Sequence, residues 1–159
     1  MTSQEMLANL LSLNTGAIQM TLKEISHEQA IHSPHETCNS AAFILGHIVT
    51  YRYQIARMLG MDESHSLGKT FEWGASDENR EQYPPLAELH AEMEAMGKKI
   101  TQRLKSISVD ELAAEADYEV PPMPKTVEGA VSFLVFHETY HVGQLGYLRR
   151  FNGQERAFG

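Results

Sequence analysis

Two histidines four residues apart, His137 and His141, stand in the run His137-Glu138-Thr139-Tyr140-His141. On an α-helix that spacing puts both imidazoles on one face, where two ring nitrogens can share one cation. The run has the form H-E-x-x-H, the helix of zinc proteases. The spacing alone is a weak signal, because eight histidines in 159 residues give roughly 0.4 chance pairs at i,i+4. A single such histidine reads equally well as a core residue hydrogen-bonded to a neighbour. A third residue changes the balance. His47 falls between Ile44 and Tyr51 on the apolar stripe of a different segment. Three histidines aimed into one small protein are costly unless they share a partner, since buried polar groups must be satisfied. One divalent cation satisfies all three. Three protein ligands with one open position is the arrangement of a catalytic metal, whereas closed structural zinc sites use four.

Protease chemistry does not fit the rest of the sequence. A metzincin needs Gly three and His six residues after the second motif histidine, and Gln144 and Tyr147 stand there. A thermolysin-like site needs a downstream glutamate, and Glu155 is the only one after His141. No strand precedes the helix to hold a peptide edge-on. The third ligand therefore has to come from upstream, which makes His47, His137 and His141 the candidate metal set. Glu138 lies about 100° round the helix from His137, so it is expected at the rim, as a general base or a support for a ligand. Gln144, seven residues after His137, returns to the same face and is expected to hold a ligand histidine or a substrate. His27, His32, His35 and Cys38 crowd a Pro-containing stretch without regular geometry and read as exposed loop residues, Cys38 as an ordinary thiol. His65 and His90 read as solvent-facing. Phe71 and Trp73 either wall the metal pocket or anchor a long loop.

The elements that carry these residues show apolar spacing of three and four. A first helix runs from about Ser3, its expected N-cap, to Ile25, and a loop follows through Thr37. A second helix opens at Asn39 or Ser40 and stops before Gly60. Gly60 to Pro85 has no periodicity and reads as loop. A third helix covers Leu86 to Ile107. Ser108-Val-Asp-Glu111 has capping-box form and starts an extra turn or two. Val120-Pro-Pro-Met-Pro124 cannot be helix. A fourth helix runs from Thr126 to Phe151, with Asn152-Gly153 as its stop. Period-two alternation is nearly absent, so the fold class is all-α, a four-helix bundle formed by one domain over residues 1–159. A helix of about 22 residues spans ~33 Å, and some 25 loop residues reach that distance. The connection between helices two and three is thus long enough for an up-down-down-up crossover.

Composition narrows the partners. Thirteen Lys and Arg against 21 Asp and Glu leave a net charge of −8, which argues against a nucleic-acid surface because phosphate contacts need a basic face. No apolar run is long enough to span a membrane, and the first residues lack the pattern of a secretory signal. Cys38 is the sole cysteine, which suits a reducing, cytoplasmic setting.

The stretch Asn39-Ser-Ala-Ala-Phe-Ile-Leu-Gly-His47-Ile-Val, the run His137-Glu-Thr-Tyr-His141-Val-Gly-Gln144, and Tyr147-Leu-Arg-Arg150 resemble the DinB-like (YfiT-like) family of small metal-binding bundles, over nearly the whole chain. The resemblance implies metal-binding histidines at His47, His137 and His141, an up-down-down-up bundle, frequent homodimers, and zinc or nickel in the site. Three imidazoles by themselves suit Zn, Ni, Fe and Cu alike. Members of the family include metal-dependent hydrolases, low-molecular-weight thiol transferases and a thiol-dependent isomerase. Where the family pattern often has Arg after the second of the two paired histidines, this chain has Val142, which removes an expected anion contact. The expectation is a metal-dependent enzyme, transferase or hydrolase, acting on a small molecule, with a low-molecular-weight thiol as a possible co-substrate. Spacing does not separate the two chemistries. The rival reading is a non-catalytic metal-binding stress-response bundle.

Overall fold

Capping side chains set where the helices begin. In the structure, a computed structural model that describes residues 1–158, Thr2 accepts from the Glu5 N–H while Glu5 accepts from the Thr2 N–H, and helix α1 spans Ser3–Leu22. The cap is Thr2 rather than Ser3, because only Thr2 has Glu three residues on to close the box. Ser26 and Gln29 make the same reciprocal pair and start α2 (His27–Ile31), inside the segment that reads as loop. Five residues are too few to show an apolar period, so the cap is the only signal this helix leaves. Ser40 caps α3 (Ala41–Met58), which closes at Gly60, where φ is 75°.

The connection after α3 is not plain loop. It contains α4 (Gly68–Phe71) and a 3₁₀ turn, Arg80–Gln82. Asp77, buried within it, accepts from the Ser40 N–H (2.6 Å), the Ser40 hydroxyl (3.2 Å) and the Tyr83 hydroxyl (2.9 Å). One carboxylate thus ties the connection to the start of α3, where the helix dipole favours negative charge. Helix α5 covers Leu86–Ser106. The Ser108–Glu111 capping box starts α6 (Val109–Ala113), and α7 runs Val127–Phe151 from its Thr126 cap to Gly153 at φ 78°. Among the described residues there is no strand.

Helix α1 packs against α5 and α7, and α3 packs against the same two, so the four long helices form a bundle with α1 and α3 at opposite corners. The apolar interior falls into two clusters. One holds Ile18, Ile44, Ile48, Phe71, Met93 and Leu145; the other holds Leu11, Ile55, Met96, Ile100 and Leu134. On three of the long helices a polar residue lies between the two clusters or at their border: Asn14 and Thr15 on α1, Arg52 on α3 and Glu138 on α7, while Gly97 on α5 makes room for the Arg52 guanidinium. The candidate site sits at this level.

Candidate metal centre

His47 projects from the middle of α3, and His137 and His141 from one face of α7, where i,i+4 spacing stacks them. One ligand atom from each of the three lies within 4.8 Å of the others, a group able to hold a metal ion. Nε2 of His141 is 3.1 Å from Nε2 of His137. The His47 ring centroid is 4.8 Å from that of His141 and 5.3 Å from that of His137.

The outer nitrogens fix the tautomers. Nδ1–H of His47 donates to the Phe71 carbonyl at 2.5 Å, and a carbonyl can only accept, so Nε2 carries the lone pair. Nδ1–H of His141 donates to Oε1 of Gln144 at 2.6 Å, and the amide is itself oriented by its NH₂ donating to the Tyr140 hydroxyl (3.1 Å). Carbonyl or amide support behind a ligating imidazole is the usual way its orientation is held. With Nε2 of His141 unprotonated, the facing Nε2 atoms of His141 and His137 need a proton or a cation between them. The donor set therefore fits a divalent metal.

Burial acts in the same direction. Desolvation lowers the pKa of His47 to about 4, partly offset by the Phe71 carbonyl, and the neighbouring His141 lowers it further. Desolvation, then the charges of His141 and His47, lower His137 to about 4 as well. His141 is lowered by burial, partly offset by Gln144 and Glu138. All three imidazoles are neutral at pH 7, the form that binds metal.

Aromatic rings surround the cluster. Tyr51 lies 4.6 Å from the ring of His47 and 5.2 Å from that of His137, and Phe133 stacks on His137 at 6.0 Å. Phe71 is fully buried and is an anchor whose carbonyl reaches the site, while Trp73 is 75% exposed and stands 6.1 Å from His137. Gly46 permits this arrangement: a Cβ there would come within 2.6 Å of the Phe71 ring.

Glu138 is placed differently from the rim position its helical angle suggests. It is 4% exposed, and both carboxylate oxygens are taken by Arg52, Nε at 2.9 Å and Nη2 at 2.7 Å. The remaining Arg52 donors reach the Met93 carbonyl (2.6 Å) and the Thr15 hydroxyl (2.9 Å), so the buried guanidinium is well satisfied. A Cβ at position 97 would strike Nη1 of Arg52, which is why glycine faces it. Arg52 is absent from the reading of the sequence. The available signal is an arginine five residues after His47, between the apolar Val49 and Ile55 of the same helix, matched by a glutamate adjoining His137.

The other histidines do not join. His32, His35 and Cys38 are exposed, as expected of that stretch, whereas His27 is half-buried and its Nδ1 accepts from the Leu86 N–H at 3.2 Å, capping α5. His65 is not solvent-facing. Its side chain is 4% exposed and stacks on Tyr53 with centroids 4.9 Å apart, because the connection folds back over α3. His90 is half-buried beside Glu94. Among the described residues no second group of three potential ligands assembles.

Residues 10–145 match the DinB superfamily. The chain belongs to the DinB superfamily. No curated protein matches it. The fold of this DinB-superfamily chain is similar to the crystal structure of a conserved protein from Enterococcus faecalis, with a TM-score of 0.70 over 94% of this chain and 96% of that one, at 15% identity. That likeness concerns the fold. No described helix is long and apolar enough to cross a membrane.

Proposed function

We propose that this DinB-superfamily chain is a metal-dependent enzyme acting on a small molecule, with His47, His137 and His141 as its ligands. The observation that carries the reading is the convergence of three neutral imidazoles whose two fixed tautomers both leave Nε2 free. When bound, a divalent metal supplies Lewis acidity to a thiol or water entering its open position. Gln144 and the Phe71 carbonyl keep two imidazoles in the ligating tautomer. Glu138 acts as a positioning residue through its bond to Arg52.

Thiol transfer is favoured over hydrolysis because both oxygens of Glu138, the expected base, are engaged by Arg52. A general base matters for activating water, while a thiol loses its proton to solvent near neutral pH once its pKa is lowered. In that reaction the sulfur forms a bond to an electrophilic carbon, the leaving group departs with its electron pair, and the thiol proton goes to solvent. Zinc or nickel suits the site, and the lone thiol suits a cytoplasmic setting. The partner of the protein itself is a second copy. Exposed Met6, Leu10 and Leu13 on α1 and Phe136, Tyr140 and Tyr147 on the adjoining α7 support a homodimer. The charge of −8 supports no nucleic-acid role.

Turnover of a chlorodinitrobenzene-type electrophile with a panel of cellular thiols, beside hydrolysis of simple esters and amides, tests the reading. Thiol-dependent turnover that disappears in His137→Ala is the expected result. Silence in both panels at full metal occupancy would leave the non-catalytic metal-binding bundle.

A further inference from the structure

We propose that the cavity along α3 beside the histidine cluster binds a small organic acid, with its anionic group at Arg57 and Lys69 and its other end at Tyr51 and Trp73, the two lining residues that pack against the imidazoles. This deepens the enzyme reading above and rests on it for what happens at the histidine end, but not for the binding itself.

The cavity measures about 540 Å³, within the usual range for small-molecule sites. Its α3 wall includes Tyr53 together with Thr50, Tyr51, Gln54 and Arg57, the last four of which follow His47 at helical spacing. From His47 to Arg57 is ten residues, or ~15 Å of helix, so a ligand lying in the groove reaches from one to the other only if it is of that length. Tyr51 belongs to both regions: it lines the cavity and packs on His47 and His137. Trp73 also lines the cavity and lies 6.1 Å from the ring of His137.

Charge then selects the ligand. Arg57 and Lys69 are both exposed and neither belongs to an ion pair among the described residues. Against these two cations the cavity presents one carboxylate, Glu72. In a chain of net charge −8, two unpaired cations at one cavity make a local field that favours an anion. His65 adds a polar group to the wall. Its side chain is 4% exposed, its Nε2 has no hydrogen-bond partner, and the nearest acid, Oε2 of Glu92, is 3.6 Å away. A buried nitrogen without a partner is rare enough to mark a place where a ligand or water completes the set. Arg57 also lines an adjoining cavity that carries Glu115 and Asp117, of which Glu115 is paired with Lys125. The cationic stretch is therefore bounded, which suits one acidic group rather than a polyanion. Tyr51, Tyr53, Trp73 and Tyr118 provide the flat surfaces for an apolar body between the two ends.

Trp73 is the only tryptophan, so all tryptophan emission comes from a residue that lines this cavity. The probe is 1-anilinonaphthalene-8-sulfonate, compared with N-phenyl-1-naphthylamine, which has the same aromatic body without the sulfonate. Titration of the as-purified protein, repeated after chelator treatment, should quench Trp73 saturably in both cases. The Arg57→Gln/Lys69→Gln variant should weaken the sulfonate probe by about tenfold, as loss of two charge contacts implies, and leave the neutral probe and the metal content unchanged. Added salt should weaken only the sulfonate probe in the unaltered chain, a measurement that needs no variant. Absence of saturable quenching, equal loss for both probes, salt-insensitive binding, or binding abolished by chelator would each overturn the proposal. Metal content of the histidine variants tests the metal reading separately, so either can fail without the other.

Discussion

Arg52 and Glu138 form a buried bidentate ion pair, 2.7 and 2.9 Å, that joins the two helices bearing the three histidines. Glu138 is next to His137 in sequence, and Arg52 is five residues from His47. The pair therefore fixes the separation and rotation of α3 against α7 at the level of the site. Its position between two apolar clusters makes it a register device as well as a charge pair.

Removing one member should be severe. Glu138→Ala or Arg52→Ala leaves an uncompensated buried charge, and the expected cost is about 3–5 kcal/mol in urea unfolding. The double variant Arg52→Met/Glu138→Leu should recover a large part of that loss, because desolvation offsets much of the pair's attraction. It should still bind metal more weakly than the unaltered chain, since the helices lose their fixed register. Full metal affinity in the double variant would limit the pair to stability.

Elemental analysis of purified variants addresses the ligands. His47→Ala, His137→Ala and His141→Ala should each strip the metal, whereas His27→Ala, His32→Ala and His35→Ala should retain it. Gln144→Ala should lower metal affinity about 10- to 100-fold without abolishing binding, as loss of a group behind a ligating imidazole does. Equal metal content in the His47 variant would remove α3 from the site.

The pKa values give a pH dependence with a definite sign. His47 and His137 are depressed to about 4 in the fold, against an ordinary 6.5. Below 6.5 the unfolded chain binds protons that the folded, metal-free chain refuses, so stability falls with pH through the window from 6.5 to about 4. Above 6.5 this contribution is fully present and flat. Denaturant midpoints of chelated protein across that window should decline, and the decline should flatten in His47→Ala/His137→Ala. Metal-loaded protein should decline more steeply still, because protons compete with the cation for the same nitrogens.

The sequence marks His47, His137 and His141 well because each lies on an apolar stripe where histidine needs a partner. It marks α3, α5 and α7 nearly to the residue because Ser40, Pro85 and Thr126 begin them and Gly60 and Gly153 end two of them. What it hides is long-range pairing. Nothing local says that Arg52 will meet Glu138, that Asp77 will reach Ser40 across 37 residues, or that His65 will fold onto Tyr53. The expected rim position of Glu138 follows from its helical angle alone, and its burial follows from a charge on another helix.

Gly46→Ala is the sharpest test of how the connection serves the site. Helix propensity alone favours the change by about 1 kcal/mol, because alanine is the better helix former. Packing opposes it: the new Cβ would lie 2.6–2.7 Å from three atoms of the Phe71 ring, which is fully buried and has no free end to swing aside. Overpacking of a closed core costs about 1–3 kcal/mol, so the net effect should be destabilising or at best neutral. The larger effect should fall on the metal, because a displaced Phe71 takes its carbonyl away from Nδ1 of His47 and releases the ring to the other tautomer. Phe71→Leu in the same chain makes room for the methyl group and should restore part of the lost affinity. Competition against a chelator of known strength measures this directly. If Gly46→Ala gains stability and holds metal as tightly as before, then the carbonyl is not what orients His47, and the aromatic packing of Tyr51 has to carry that role.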